Sequence, residues 1–332
     1  MKIRNSAVAA LSLAVLGLSS ALATADTKVV ASIKPIHSLV ASVMQGAGTP
    51  DLIVEGASSP HSYALKPSQA KKLETTDVIF WVGHDLETFF EKPVETIGKN
   101  AVSVSLLESP GLEKLDFREG GAFAQHADHD EHADHDDHED HVEHDEHTDH
   151  DEHEGHAHSG TDPHIWLDPQ NAEILVKKIA AVLAEADPAN EKLYADNAIK
   201  TLARLETLTT DIERQLEPVQ SRAFVVFHDA YRYFERRFGL AAVGSIAINP
   251  ELAPGADRLA EIRDELRETG AVCVFAEPQF QTRHIATVTE GTDARVGILD
   301  PLGAGLEDGP DLYFNLIREM ANSMRDCLAF NG

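Results

Sequence analysis

Short apolar runs alternate with amphipathic stretches along the first third of the chain. The apolar runs lie at 28–33, 51–54, 77–82 and 101–106. The amphipathic stretches lie after Pro35 and at 67–73 and 85–97. Runs this short are typical of buried strands, and the stretches between them have the period of helices. The alternation predicts an α/β fold with a mostly parallel sheet, built here from about four β/α units.

A second series with the same alternation fills the last third of the chain. Its apolar runs lie at 223–227, 241–246, 271–276 and 294–299. Its helical stretches lie at 229–238, 256–269, 283–290 and 312–327. We expect Asp229 to cap the first of these helices. Gly239 and Gly270 should end two of them, because Gly accepts the left-handed conformation that follows a helix. The series predicts four more β/α units and therefore a second lobe.

A long helical segment separates the two series. Residues 171–186 have the pattern of an amphipathic helix, and Asp187 with Pro188 starts a further helix that continues to Leu216. A helix of nearly thirty residues is about 45 Å long, and we expect it to join two lobes as one rigid element. The predicted division into first β/α lobe, connecting helix and second β/α lobe is 26–186, 187–217 and 218–332.

The N-terminus has the features of a secretory signal peptide. Lys2 and Arg4 precede an apolar run at about 7–17, and Ala23-Thr24-Ala25 offers the small residues of a cleavage site. The alternative, a membrane anchor, would need a longer apolar span, and no Cys follows the run to carry a lipid. We predict a signal peptide at 1–25, cleavage after Ala25 and export to the periplasm.

Composition narrows the classes of function and indicates how the cysteines are used. The chain has 28 Lys and Arg against 56 Asp and Glu, a net charge of -28, so nucleic acid and anionic membranes would repel it. Its two cysteines, Cys273 and Cys327, would meet an oxidising compartment after export, where an isolated pair typically forms a disulfide. A zinc–thiolate site is the alternative, but it would need further cysteines nearby. We predict the disulfide.

A histidine tract interrupts the first lobe. Residues 126–158 hold twelve His and fifteen Asp or Glu and lack Lys and Arg. They cannot form a hydrophobic core, so we expect a disordered loop at about 119–161. Imidazole suits zinc, copper and nickel, although a solvated acidic loop is the alternative interpretation. We predict several weak, poorly selective metal sites from His126, His129, His132, His135, His138, His141, His144, His147, His150, His153, His156 and His158.

Four residues outside the tract lie where the predicted topology can bring metal ligands together. His228 directly follows a predicted strand, and His61 and Asp300 also follow strands. These positions lie at the carboxyl edge of parallel sheets, where α/β proteins bind ligands. His164 lies just before a predicted helix. Three imidazoles and one carboxylate suit a Zn²⁺ site, provided that the two lobes face each other across a cleft.

Five motifs closely resemble the ZnuA-type periplasmic zinc-binding proteins of bacterial ABC importers, a metal-binding cluster of solute-binding proteins. The motifs are GASSPHSYALKPS at 56–68, DPHIWLDP at 162–169, FHDAY at 227–231, FAEPQF at 275–280 and LDPLG at 299–303. The resemblance covers nearly the whole mature chain. It implies that His61, His164 and His228 ligate Zn²⁺ and that Asp300, water or another carboxylate completes the site.

Individual positions refine what the resemblance implies. Manganese-type relatives carry a carboxylate at the position of His228, so an imidazole there favours zinc. Some members carry an acidic residue directly before the first His, where this chain has Pro60, so that alternative ligand is absent. His37, His84 and His284 match no ligand position, and we expect a surface or supporting role for His84.

The resemblance implies a receptor and no catalysis. The protein would capture Zn²⁺ as its transported ligand and deliver it to an inner-membrane ABC permease with a cytoplasmic ATPase, and we expect it to be a monomer. One alternative is a periplasmic zinc buffer or chaperone, for which the tract alone would suffice. The others are a manganese-binding receptor and a zinc-dependent hydrolase with Glu277 as general base. The chain lacks a His-Glu-x-x-His motif, which disfavours the hydrolase.

Overall fold

The structure, a computed structural model, describes residues 27–118, 121–123 and 160–329. The predicted signal peptide at 1–25 and the twelve histidines of the tract lie outside the described residues. Within the described part, the chain forms two four-stranded sheets in which neighbouring strands are parallel. The predicted α/β class is therefore confirmed.

The two sheets have the same strand order. The strands are β1 (Val29–Ala31), β2 (Asp51–Leu52), β3 (Val78–Trp81), β4 (Val102–Ser105), β5 (Phe224–His228), β6 (Ala242–Ala247), β7 (Cys273–Ala276) and β8 (Arg295–Ile298). The first sheet has the order β2-β1-β3-β4 and the second the order β6-β5-β7-β8. The central strands β1 and β5 are buried on both faces, which is why they appear in the sequence as continuous apolar runs.

Helices cover the sheets and connect the lobes. They are α1 (Lys34–Met44), α2 (Pro67–Leu73), α3 (Glu91–Thr96), α4 (Pro169–Ala186), α5 (Glu191–Leu216), α6 (Arg232–Phe238), α7 (Ala256–Thr269), α8 (Arg283–Thr289) and α9 (Leu312–Leu328). The predicted connecting helix, α5, has 26 residues and is about 39 Å long. Among the described helices, none is both long and apolar enough to cross a membrane.

The two lobes share a core in addition to the connecting helix. Both α1 of the first lobe and α9 of the second pack against α5 and against each other. One cluster of buried apolar side chains extends from the first sheet through these helices to the second sheet. Relative movement of the lobes would therefore disrupt packed surface as well as bend α5.

Helices α3 and α6 begin several residues later than the sequence pattern predicts. Helix α3 begins at Glu91 and not near Asp85, because Pro93 lacks an N–H group and is tolerated only in the first turn of a helix. Helix α6 begins at Arg232. The predicted capping role of Asp229 is wrong, since both of its carboxylate oxygens accept hydrogen bonds from Arg118 Nε at 3.0 Å.

Cys273 and Cys327 form the predicted disulfide, with Cα atoms 6.1 Å apart. The bond joins β7, a central strand of the second sheet, to the last turn of α9. It closes a loop with a sequence separation of 54 residues. On the chain-entropy model, closing such a loop stabilises the folded state by about 4 kcal/mol.

Candidate metal centre

Three histidines converge between the lobes. His61 belongs to the first lobe, His228 to the second, and His164 to the segment that precedes α4. One ligand nitrogen from each lies within 4.8 Å of the other two, and the Nε2 atoms of His164 and His228 are 3.4 Å apart. Within the part of the chain that the structure describes, this is the group of His, Cys and acidic residues with the spacing of a metal site.

Neighbouring strands of the second sheet orient His228. It is the last residue of β5 and is buried. Glu277, which directly follows β7, accepts hydrogen bonds from His228 Nδ1 at 2.7 Å and from its backbone N–H at 3.3 Å. A carboxylate that accepts from Nδ1 places the ring proton there and leaves the lone pair of Nε2 for a metal.

A tight turn orients His164 in the same way. One oxygen of Asp162, Oδ1, accepts hydrogen bonds from the backbone N–H of His164 at 3.0 Å and from its Nδ1 at 2.7 Å. Both residues are buried, and the ring of Trp166 packs against the imidazole with centroids 5.3 Å apart. The turn therefore also leaves Nε2 as the atom available to a metal.

His61 is the most exposed of the three imidazoles. It lies on a 3₁₀ turn at Pro60–Ser62, in the loop between β2 and α2, and is half-buried. Its backbone N–H donates to Ser59 Oγ at 3.3 Å. Its ring lies 5.5 Å from that of His164 and 5.8 Å from that of His228. A loop therefore supplies this ligand, in contrast to the strand end that carries His228.

A small cavity lies among the imidazoles. Its volume is about 10 Å³, the space of a single water molecule or ion. Its surface is mostly apolar, and Phe280 contributes a ring that lies at 72° to that of His228, with 5.5 Å between centroids. The lining residues are Ser59, Pro60, His61, His164, Trp166, His228, Glu277, Gln279, Phe280, Pro301 and Leu302. A cavity of this size suits one ion.

The spacing of the two buried imidazoles fits tetrahedral zinc. With Zn–N bonds of about 2.0–2.1 Å and tetrahedral angles, two ligand nitrogens lie about 3.3 Å apart. The Nε2 atoms of His164 and His228 are 3.4 Å apart. When both rings are neutral and carry their proton on Nδ1, the two Nε2 lone pairs face each other across this gap, which is the arrangement that a bound cation requires.

Burial and charge shift the pKa values of the two buried imidazoles in opposite directions. Burial lowers the pKa of His164 well below its ordinary value, and the neighbouring His228 lowers it further. Burial also acts to lower the pKa of His228, but the Glu277 carboxylate, with help from Asp229, outweighs burial and raises it. As the pH falls, His228 therefore takes up a proton before His164 does.

A partly buried guanidinium supports the strand end that carries His228. Arg118 pairs with Asp229, the residue after His228, and donates to Glu235 in α6 through Nη1 at 3.0 Å and Nη2 at 2.8 Å. The residues before the tract thereby attach to the second lobe. Local sequence pattern does not predict this contact, because 111 positions separate Arg118 from Asp229.

The structure does not bring Asp300 into the histidine group. Its Oδ1 accepts hydrogen bonds from the backbone N–H groups of Leu302 at 3.1 Å and Gly303 at 3.0 Å, and from Gln279 Nε2 at 2.8 Å. Its Oδ2 accepts from the backbone N–H of Ala304. The carboxylate thus organises the loop that follows β8, and the group with the spacing of a metal site contains only the three imidazoles among the described residues.

Other histidines outside the tract lie away from the group. His37 is buried in α1 with Nε2 3.0 Å from the carbonyl oxygen of Pro50, and burial lowers its pKa. His84 is exposed beside Glu91, with 2.9 Å between Nδ1 and Oε2, which fits the expected surface role. His284 lies in α8 beside Arg283.

Two α/β lobes of the same topology that enclose a three-histidine cavity for one ion define a metal-binding solute receptor. The profile of the family described as "Zinc-uptake complex component A periplasmic" (ZnuA) matches residues 29–327. The "High-affinity zinc uptake system protein ZnuA" of Brucella suis is 53% identical over 315 residues, which cover 93% of this chain and 94% of the relative. The protein of the same name from Paracoccus denitrificans is 43% identical over 317 residues, covering 95% and 96%. The chain belongs to the ZnuA family.

Solved structures share the fold at lower sequence identity. A crystal structure of ZnuA matches with a TM-score of 0.72 at 24% identity, covering 92% of this chain and all of the other. The periplasmic zinc-binding protein TroA from Treponema pallidum matches with a TM-score of 0.73 at 18% identity, covering 92% and 99%. These likenesses support the two-lobed fold with its long joining helix.

Proposed function

We propose that this protein is the zinc receptor of a bacterial ABC importer and that His61, His164 and His228 bind the transported ion. The observation that carries the proposal is the convergence of three imidazoles around a cavity for one ion, two of them held by carboxylates that direct Nε2 inwards. Three neutral imidazoles are a ligand set that suits zinc better than manganese. The curated relatives named above are zinc uptake proteins, which agrees with this choice.

In this proposal a water molecule is the fourth ligand. Asp300 is engaged by three backbone N–H groups and by Gln279. Gln279 lines the cavity, and its buried Oε1 has no hydrogen-bond partner within the described part of the chain. Zinc-bound water is a strong donor and needs such an acceptor. Glu277 is bonded to His228, so we assign it to orientation of that ligand and infer no hydrolytic activity.

The proposal extends to compartment, partner and chain organisation. After cleavage behind Ala25, the mature chain would act in the periplasm as a monomer and deliver Zn²⁺ to an inner-membrane permease driven by a cytoplasmic ATPase. The first lobe, connecting helix and second lobe would span 26–186, 187–217 and 218–332. The tract histidines, which lie outside the described residues, would bind further zinc ions weakly and collect them near the receptor.

Zinc titration against a competing chelator tests the site. We expect one tight step of roughly nanomolar Kd, about 12 kcal/mol, in the wild type. The combined His61→Ala, His164→Ala and His228→Ala variant should lose that step, whereas the matched control with His84→Ala and His284→Ala should keep it. A tight step in the triple variant would refute the assignment. Zinc uptake by the reconstituted permease should require the receptor, which a simple buffer would not explain.

A further inference from the structure

A stripe of polar side chains runs along the buried helix α1. Lys34, Ser38 and Ser42 lie four residues apart, so they share one face of the helix, and all three are buried. Burial of an ammonium group and two hydroxyls is costly unless each finds partners. All of these partners belong to one segment of the second lobe, residues 304–313.

The contacts along this stripe are short and specific. Lys34 Nζ donates to the carbonyl oxygens of Leu306 at 2.8 Å and Ala304 at 3.4 Å, and it lies 3.2 Å from Asp308 Oδ1. Ser42 Oγ donates to the carbonyl oxygen of Pro310 at 2.9 Å. In the middle, the backbone N–H of Tyr313 donates to the hydroxyl of Ser38 at 2.9 Å. We call this set of contacts the seam.

The seam continues into the walls of the metal cavity. Residues 304–313 directly follow the loop that starts at Asp300, whose carboxylate accepts hydrogen bonds from the N–H groups of Leu302, Gly303 and Ala304. Pro301 of that loop lines the cavity, and its carbonyl oxygen accepts a hydrogen bond from Trp166 Nε1 at 2.8 Å. Tyr313, at the other end, donates its hydroxyl to the carbonyl oxygen of Trp166 at 2.7 Å. Trp166 in turn packs on the ring of His164.

We infer that Lys34 and Ser42 are positioning residues of the metal centre, because the seam sets the spacing between the lobe that carries His61 and the lobe that carries His228. The inference rests on the proposed three-histidine site. A metal ion gains most from ligands that are already held at its preferred spacing, and small relaxations of the surrounding contacts weaken binding. Neither residue lines the cavity, so each acts through the loop it holds.

The inference predicts a kinetic signature. If the seam only contributed to overall stability, zinc would dissociate at the normal rate from any variant that stays folded. If the seam positions the ligands, weakening it should speed dissociation while the coordinating atoms remain the same. The readouts are the zinc dissociation rate, followed with an excess of chelator, and the visible spectrum of the protein loaded with Co²⁺, which reports the ligand set.

Lys34→Met removes the donor while retaining most of the side-chain volume. We expect zinc to dissociate about ten times faster, in line with the loss typical of outer contacts around a metal, with an unchanged Co²⁺ spectrum. Ser42→Ala should act in the same direction by a smaller factor, and it keeps the test available if Lys34→Met folds poorly. Lys192→Met, at an exposed position of α5, is the matched control and should dissociate zinc at the wild-type rate.

Leu266→Ala controls for stability, because Leu266 lies in a separate buried cluster of the second lobe. It should lower the melting temperature and leave zinc dissociation unchanged. Wild-type dissociation from both Lys34→Met and Ser42→Ala, or equal acceleration by Leu266→Ala, would overturn the role of the seam. An error in the proposed three-histidine site would be recognised separately, because the triple His variant would then keep the high-affinity zinc-binding step.

Discussion

The two lobes present their imidazoles differently, although their sheets share one strand order. The second lobe places His228 at the end of the central strand β5, buried and bonded to Glu277. The first lobe places His61 on a loop after the edge strand β2, half-buried. A ligand held by a strand and a carboxylate loses little freedom when metal binds, whereas a loop ligand loses more. We therefore expect His228 and His164 to be held in place before zinc binds, and His61 to complete the coordination when it binds.

Removal of single imidazoles is the strongest test of this comparison. His228→Ala and His164→Ala should each weaken zinc binding more than about 100-fold, because even residues that only orient ligands cost 10- to 100-fold. His61→Ala should cost less, since water can reach and replace a half-exposed ligand. Chelator competition gives the three Kd values, with His84→Ala as control. A loss at His61 equal to that at His228 would contradict the comparison.

Removal of the carboxylates that orient the buried imidazoles should give the next largest loss of zinc affinity. Glu277→Gln and Asp162→Asn replace an acceptor oxygen that fixes the Nδ1 proton, and each should weaken zinc binding by about 10- to 100-fold. Glu95→Gln, at an exposed position of α3, is the matched control. Calorimetry with zinc measures the change. Wild-type affinity in both carboxylate variants would show that the imidazoles keep their orientation without these bonds.

The pH dependence of zinc binding should include a contribution from His228. Its pKa in the free protein is raised, chiefly because the Glu277 carboxylate outweighs burial, so protons compete with zinc from a pH above the ordinary value of 6.5. Affinity should therefore fall with decreasing pH, by up to about tenfold per unit for one proton.

Burial and the neighbouring His228 lower the pKa of His164, so this imidazole takes up a proton at lower pH than His228 does. In Glu277→Gln, the onset of the decline should move to lower pH, because the charge that raises the pKa of His228 is gone. Zinc titrations between pH 8 and 5 measure both curves. An affinity independent of pH would contradict imidazole ligation.

Deletion of the tract should have the smallest effect on the tight step. Without residues 126–158, its Kd should change less than about twofold, while the number of zinc ions bound should drop to one. Both flanks are held by a short ladder, in which Phe117 donates to Gly160 at 3.3 Å and Asp162 donates to Leu115 at 2.7 Å. Calorimetry on the deletion variant distinguishes the outcomes. Loss of the tight step would place tract residues in the primary site, and unchanged stoichiometry would place the weak sites elsewhere.

Local patterns predicted several elements closely and failed where a distant partner intervened. The bounds predicted for α2 and α7 agree with the structure, and α7 ends at Gly270, whose φ is 64°. The predicted start of α6 was wrong because Arg118, which is distant in the chain, donates a hydrogen bond to the carboxylate of Asp229. Local pattern also did not predict the partner of His228, because Glu277 lies 49 positions away and contacts it only where β5 and β7 are neighbours.

The sequence by itself determined the alternation of strands and helices, the cysteine pair, and the imidazoles that can serve as ligands, because these depend on residue types and short-range periodicity. The tertiary structure decided how the candidates are used. It directs Nε2 of His164 and His228 to one point through buried carboxylates, and it engages Asp300 with the N–H groups of its own loop. It also joins Lys34 to a segment about 270 positions away. Such choices depend on the direction of individual N–H groups and on contacts between lobes, and neither is encoded in local sequence pattern.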